Sequence, residues 1–235
     1  MNIFMWSGPR NISTALLRSF SNRDDTIVYD EPFYSYYLYE TKLDHPMKDQ
    51  ILNYYPTDES KVIKSIIRSE DKIFYQKHMT HHILNKTDLN WLNRGINCFL
   101  IRHPSKVINS YIKKNELTNI TDIGFDQIFR LFNHVMDNIT KNIIVVNADI
   151  LLEDPKTYLK KLCNKLEINF TSKMLYWEKG LTKDFGIWYS HWYNDIINSN
   201  GFKKTKNTIK DVPERYQKIY IESLKIYNHM NKYSL

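Results

Sequence analysis

Apolar and polar positions along the chain switch between two periods, and the switches mark out the elements. Asn2 to Trp6 is apolar and β-compatible, and it runs straight into Ser7-Gly8-Pro9-Arg10-Asn11. Thr14 to Phe20 has its apolar residues at helical spacing, with Ser13 placed to cap the N-terminus. The opening is strand, tight turn, helix. A second strand, Thr26 to Tyr29, ends at Asp30-Glu31-Pro32, where the proline bars a helix from starting one residue earlier. Asp58 to Arg68 has helical spacing at Val62, Ile66 and Ile67, and Lys72 to Gln76 reads as a third strand. Gly95 to Ile101 is a fourth, nearly all apolar, as a strand covered on both faces should be. Pro104 begins a helix through Tyr111, proline being tolerated in the first turn. Phe125 to Ile139 is an amphipathic helix, Asn142 to Val146 a fifth strand, and Asp154-Pro155 opens a helix that reaches Leu166. Trp177 to Phe202 is aromatic and irregular, and a last helix covers about Val212 to Asn231.

Strands alternating with helices imply right-handed βαβ crossovers and a three-layer α/β architecture. Its central sheet has about five strands, mainly parallel, flanked by helices. The 235 residues fit one domain, in which 177–235 forms a C-terminal aromatic lid segment and closing helix. In such a sheet ligands bind beyond the carboxyl ends of the strands. The places to look are therefore Ser7 to Ser13, Asp30-Glu31, Lys77-His78, Arg102-His103 and Asn147 to Asp149. Pro32 to Pro56 and Trp177 to Phe202 read as the loops that would shape a substrate pocket.

Composition narrows the class without naming it. With 42% hydrophobic and 25% charged residues the chain buries a core, and six glycines and seven prolines exclude a collagen-like or low-complexity chain. No apolar run approaches the roughly 20 residues of a membrane span, so no membrane association is expected. The start, MNIFMWSGPR, reads as a first strand and not as a secretory leader. Cys98 and Cys163 form no spaced pair, which makes a reducing, cytoplasmic setting the expectation. The net charge of +7 favours anionic ligands, yet the lysines are scattered among Asn and Tyr. Such scatter reads as a solvated surface, and nucleic acid is not the expected partner.

Two motifs carry the chemistry. Trp6-Ser7-Gly8-Pro9-Arg10-Asn11-Ile12-Ser13-Thr14 is a turn feeding a helix N-terminus, where unpaired backbone N–H groups and the helix dipole cradle an anion. Arg10 adds a charged donor, and Ser13 and Thr14 add hydroxyls. The ATPase loop is excluded, because Ile12-Ser13 stands where Gly-Lys is required. After the fourth strand, Ile101-Arg102-His103-Pro104 leads into a helix that carries Ser110 two turns on. Arg102 and Ser110 are thereby placed to grip one phosphate from two sides.

The pair of motifs resembles the sulfotransferase family, and most of all small bacterial members reading S-G-P-R-N-x-S-T-A-L and D-E-P-F/L-Y. The resemblance implies a P-loop-type domain that moves a sulfuryl group from PAPS (3′-phosphoadenosine 5′-phosphosulfate) to a hydroxyl or amine of a small-molecule acceptor. It implies that Gly8, Pro9, Arg10, Asn11, Ser13 and Thr14 hold the 5′-phosphosulfate end, and that Arg102 and Ser110 hold the 3′-phosphate. The resemblance implies that Arg10 serves in catalysis as well as in binding. The resemblance offers two candidates for the base: His78, at the place of a Lys-x-His element although the local pattern is Gln76-Lys77-His78, and Glu31, matching a catalytic Glu after the second strand. The Pro-Arg loop and the acidic residue occur together in one branch, which favours Glu31. Ile12 stands where many members have Gly, leaving the backbone less room to approach a phosphosulfate. Lys179-Gly180 with Gly186-Ile187-Trp188 resembles, at longer spacing, a family lid over the 3′-phosphate.

The alternatives are a P-loop nucleotide kinase or phosphohydrolase, and a non-catalytic protein that retains a phosphate-binding loop. His78, His81 and His82 share a helical spacing, but no carboxylate or Cys completes a zinc pattern nearby, and no metal is expected. The oligomeric state is open.

Overall fold

The computed structural model describes residues 1–68, 71–204 and 208–235. Five strands form one sheet: β1 (Asn2–Ser7), β2 (Thr26–Asp30), β3 (Ile73–Met79), β4 (Ile96–Ile101) and β5 (Ile144–Asn147). Every pairing is parallel and the order is β2-β3-β1-β4-β5. The helices are α1 (Ser13–Ser21), α2 (Tyr34–Thr41), α3 (Lys48–Tyr54), α4 (Glu59–Ile66), α5 (Pro104–Tyr111) and α6 (Phe125–Asn138). They continue with α7 (Ala148–Glu153), α8 (Pro155–Lys165), α9 (Tyr189–Trp192), α10 (Asn194–Ile197) and α11 (Gln217–Asn231). No helix among the described residues is long and apolar enough to cross a membrane.

Two cores follow from the strand period. All six residues of β1 are buried, so both of its faces are covered. Ile3 and Met5 meet Leu16, Leu17 and Phe20 of α1 and Leu159 and Leu162 of α8. Phe4 and Trp6 face the other way, into a core with Val107 and Ile108 of α5, Phe132 of α6 and Met230 of α11. The chain leaves β1 towards β2, passing β3, and later crosses from β3 past β1 to β4. That reversal is the switch point at which such sheets place ligands, and it sets the turns after β1 and β4 side by side.

Three expectations need correction. Pro32 to Pro56 is mostly helical, because α2 and α3 fill it, and Tyr34, Ser35, Tyr36 and Leu38 of α2 are buried. Ser13 does not cap α1: the cap position is Ile12, in the left-handed region at φ 61°, with no side-chain hydrogen bond. Trp177 to Phe202 is not wholly irregular, since α9 and α10 lie within it.

Candidate active site

The loop after β1 is held in a strained shape. Arg10 and Ile12 have φ of 64° and 61°, and Glu31, at the end of β2, has 45°. None is glycine, and Ile12 is β-branched, for which this region costs on the order of 1–2 kcal/mol. Such strain collects at functional sites. Ile12 remains there because its side chain packs against the α1 core. Gly8 is fixed by close approach: a Cβ on it would come within 2.3 Å of the Ile123 carbonyl oxygen. Asn11 is buried and donates from Nδ2 to the Gly8 carbonyl at 3.1 Å, while its Oδ1 has no partner.

The turn after β4 meets this loop. Arg102 Nη1 donates to the Arg10 carbonyl at 3.0 Å, and Arg10 Nε donates to Ser110 Oγ at 2.8 Å. Asp149, buried after β5, holds Arg102 Nε at 3.5 Å and Lys106 Nζ at 2.9 Å, and accepts from the His103 amide. These contacts surround a cavity of about 430 Å³ lined by Arg10, Asn11, Ser13, Thr14, Arg102 and Ser110. Ser13 and Thr14 open the first turn of α1, where main-chain amides have no intrahelical partner, and they belong to the same wall. The far side is closed by Trp192, Tyr193, Ile196, Phe202 and Lys203.

On the other side of Arg10 lies a smaller cavity, of about 230 Å³, whose floor is Glu31 and Lys77. Asp30 and Lys77 are register partners across β2 and β3. Lys77 Nζ donates to Asp30 Oδ1 at 2.9 Å, to Glu31 Oε1, and to Tyr193 Oη at 2.7 Å. Tyr193 Oη donates to Asp30 Oδ2 at 2.7 Å and accepts from Trp188 Nε1 at 3.1 Å. The Glu31 amide joins the edge of β3 by donating to the Lys77 carbonyl. Burial pushes the Glu31 carboxyl above the usual carboxylate range, against the pull of Lys77 and with the help of Asp30. Burial alone would lower Lys77, but the two carboxylates together outweigh it and raise it.

The other candidate base lies elsewhere. Adjacent strand residues face opposite ways, so Lys77 points to the cavity while His78 points into the core. His78 is 1% exposed, stacked on Trp6 at 4.4 Å between ring centroids, and hydrogen bonded to Gln76 Oε1 at 3.1 Å. Burial, with Lys77 nearby, lowers it to about 3. It lines neither cavity. The helical spacing read into His78, His81 and His82 is likewise absent, because His78 ends a strand and the other two lie in a 3-10 turn. No group of three or more His, Cys, Asp or Glu among the described residues is arranged to hold a metal ion.

Of the remaining sequence-derived residues, Pro9, Arg10, Ser13, Thr14 and Glu31 line the smaller cavity, and Asn11, Arg102 and Ser110 line the larger with Arg10, Ser13 and Thr14. Gly8 lines neither, and its place is structural, beneath the loop. Gly186 and Trp188 sit on the carboxylate side, where the Gly186 amide donates to Asp30 Oδ2 at 3.1 Å. They do not cover Arg102.

A sulfotransferase-domain model matches residues 1–233. The chain belongs to the sulfotransferase family. Two curated relatives from Arabidopsis thaliana, the branched-chain-amino-acid aminotransferase-like proteins 1 and 2, are each 32% identical over 228 residues, 96% of this chain. The chain spans only 41% and 40% of their lengths. Among solved structures, the sulfotransferase domain of the Synechococcus PCC 7002 olefin synthase covers 97% of this chain and 94% of its own, with TM-score 0.65 and 14% identity. A sulfotransferase from Alicyclobacillus acidocaldarius covers 97% and 94%, with TM-score 0.59 and 9% identity. At these identities the likeness is one of fold: this five-stranded parallel sheet and its flanking helices are those of sulfotransferase domains.

Lys77 and Tyr193, which bond to Asp30 and Glu31 at this candidate site, are not singled out by sequence pattern: Lys77 is one strand residue from His78, and only strand phase separates their faces. Tyr193 lies 162 residues from Glu31, and only folding brings them together.

Proposed function

We propose that this sulfotransferase-family chain moves a sulfuryl group from PAPS to a hydroxyl of a small-molecule acceptor. The observation that carries the reading is two cavities, one on each side of Arg10, Ser13 and Thr14, with Glu31 on one side and Arg102 with Ser110 on the other. The larger cavity suits a nucleotide carrying phosphate at two places. Arg10 and the α1 amides would hold its 5′ end, and Arg102 and Ser110 its 3′-phosphate. PAPS supplies the sulfuryl group, and the protein supplies the rest.

Glu31 takes the acceptor's proton at its carboxylate. Its raised pKa brings the base nearer to neutrality, where general-base catalysis is most efficient. Lys77 stays charged and holds Glu31 in place. Arg10 and the helix N-terminus offset negative charge on the 5′ side. Trp192 and Tyr193 line both cavities and keep water from the space between them. The test follows release of adenosine 3′,5′-bisphosphate from PAPS with a panel of hydroxylated acceptors. Acceptor-dependent release that is lost in Arg10→Ala and Glu31→Gln supports the reading; release unchanged in both variants contradicts it.

A further inference from the structure

Asp30 and Glu31 are consecutive carboxylates at the end of β2, yet they have different surroundings. In a regular strand their side chains would point to opposite faces. The left-handed turn at Glu31, with φ 45°, breaks that alternation, and both carboxylates converge on Lys77 Nζ. The turn is pinned on both sides. The Glu31 amide donates to the Lys77 carbonyl at 2.9 Å, and the Glu31 carbonyl accepts from the Tyr34 amide at 3.0 Å. Glu31 lines the smaller cavity, whereas Asp30, 3% exposed, lines neither. A buried carboxylate is costly, and the mechanism above gives Asp30 no ligand to hold. What it contributes goes through its neighbours.

We infer that Asp30 is a positioning residue for the base: it holds Lys77 and Tyr193 so that neither bonds Glu31 to the full. The inference rests on the reading of Glu31 as the base and adds a residue that the mechanism does not use. An ammonium has three donors, and those of Lys77 go to Asp30 Oδ1 at 2.9 Å, to Glu31 Oε1 and to Tyr193 Oη at 2.7 Å. Tyr193 has one hydroxyl hydrogen to share. Asp30 Oδ2, at 2.7 Å, is nearer to it than Glu31 Oε1, at 3.1 Å, and takes the larger share. The Gly186 amide, donating to Asp30 Oδ2 at 3.1 Å, fixes the orientation of Asp30 itself. Without the Asp30 charge, ammonium and phenol would both turn to Glu31, and a carboxylate so well bonded takes up a proton less readily.

The charges around the pair act in the same direction. Burial raises Glu31, Lys77 lowers it, Asp30 raises it again, and the bond from Tyr193 lowers it. The other groups that face this place are neutral or turned away. Burial raises the phenols of Tyr34, Tyr55 and Tyr75 and lowers the imidazoles of His45, His81 and His82, so all six are uncharged near pH 7. Arg10 is turned to Ser110 on the donor side. The Asp122 carboxylate is taken up by the Thr118 and Asn119 amides. Lys114 and His191 are exposed at the rim, where water screens them. Among the described residues, Asp30 is the carboxylate that shares a cation with Glu31.

The experiment uses the whole chain with 13C at the glutamate side-chain carboxyls and follows Glu31 by NMR against pH, its signal assigned with Glu31→Gln. This readout needs neither donor nor acceptor, so it tests Asp30 whether or not the donor reading holds. Bisphosphate titration alongside tests that reading separately. Asp30→Asn keeps the size of the side chain and an oxygen for the Gly186 amide. It is expected to move the Glu31 midpoint down by about one pH unit, the effect of removing a close like charge. Tyr193→Phe is expected to move the midpoint up. In the rate assay the acidic limb of Asp30→Asn should move down with the midpoint and kcat should fall, with acceptor KM and bisphosphate affinity unchanged. Asp30→Ser gives a second reading should Asp30→Asn fail to fold, and is expected to act in the same direction. A Glu31 midpoint that stays or rises in the folded Asp30 variant, or kcat unchanged while bisphosphate affinity falls, would overturn the inference.

Discussion

Arg102 Nη1 donates to the main-chain carbonyl of Arg10 at 3.0 Å, so the turn after β4 supports the loop after β1 across the switch point of the sheet. Arg102→Ala removes both that support and the charge proposed to meet the 3′-phosphate. Adenosine 3′,5′-bisphosphate affinity is expected to fall some ten- to a hundredfold, the worth of a charge-assisted hydrogen bond at about 1.5–3 kcal/mol. Arg10→Ala is expected to abolish turnover. Calorimetry and a rate assay on the two variants check this, and wild-type affinity and rate in both would refute the assignment.

Lys77 is the only cation bonded to the buried Asp30 and Glu31 carboxylates among the described contacts. Lys77→Met leaves those carboxylates without a counter-charge, and breaking a buried pair in this way costs about 3–5 kcal/mol. Denaturant unfolding should show that loss at pH 7. The loss should shrink as the pH falls, because without the pull of Lys77 the folded-state Glu31 carboxyl, already raised by burial, rises further above its unfolded value, and protonation then favours the folded state. A loss independent of pH would point to packing alone.

Rate against pH distinguishes the two candidate bases. In the proposed mechanism Glu31 acts when deprotonated, and its carboxyl is raised by burial, so the rate should fall as pH drops through a value above the ordinary carboxylate range. Glu31→Gln should cost roughly 10²–10⁴-fold. Tyr193→Phe removes a hydroxyl that lowers Glu31, and should move the acidic limb upwards. His78→Gln should leave the shape of the profile unchanged, since the buried His78 ring lines neither cavity. A profile governed by His78 would reverse the assignment.

Gly8→Ala places a methyl 2.3 Å from the Ile123 carbonyl oxygen, so either the loop or the segment before α6 must shift. A loss of about 1–3 kcal/mol is expected, as for overpacking elsewhere. Bisphosphate binding should fall with it, because the shift displaces Arg10. Thermal unfolding with and without the nucleotide checks both effects.

What was legible in the sequence is what local pattern dictates. The five strands are short apolar runs ended by polar residues, and α5 begins and ends where Pro104 and Tyr111 predict. The turn after β1 was legible because Gly8, Pro9 and Arg10 interrupt such a run. What escaped has a physical cause in each case. In α2 the buried residues are Tyr34, Ser35, Tyr36 and Leu38, which make no single helical face, so the Tyr-rich run shows no period. Ser13 looked like a cap because serine usually is one, but the loop's left-handed turn at Ile12 moved the helix start to Ser13 itself. His78 and Lys77 differ by one residue, and strand phase, set by pairing with β1 and β2, decided which faced the cavity.

The most direct test of the account is calorimetric titration with adenosine 3′,5′-bisphosphate and, separately, with ADP and with ATP. The account predicts tight binding of the bisphosphate and a clear loss for ADP, which lacks the 3′-phosphate that Arg102 and Ser110 would hold. ADP or ATP binding as well as the bisphosphate, or no binding of any of the three, would contradict it.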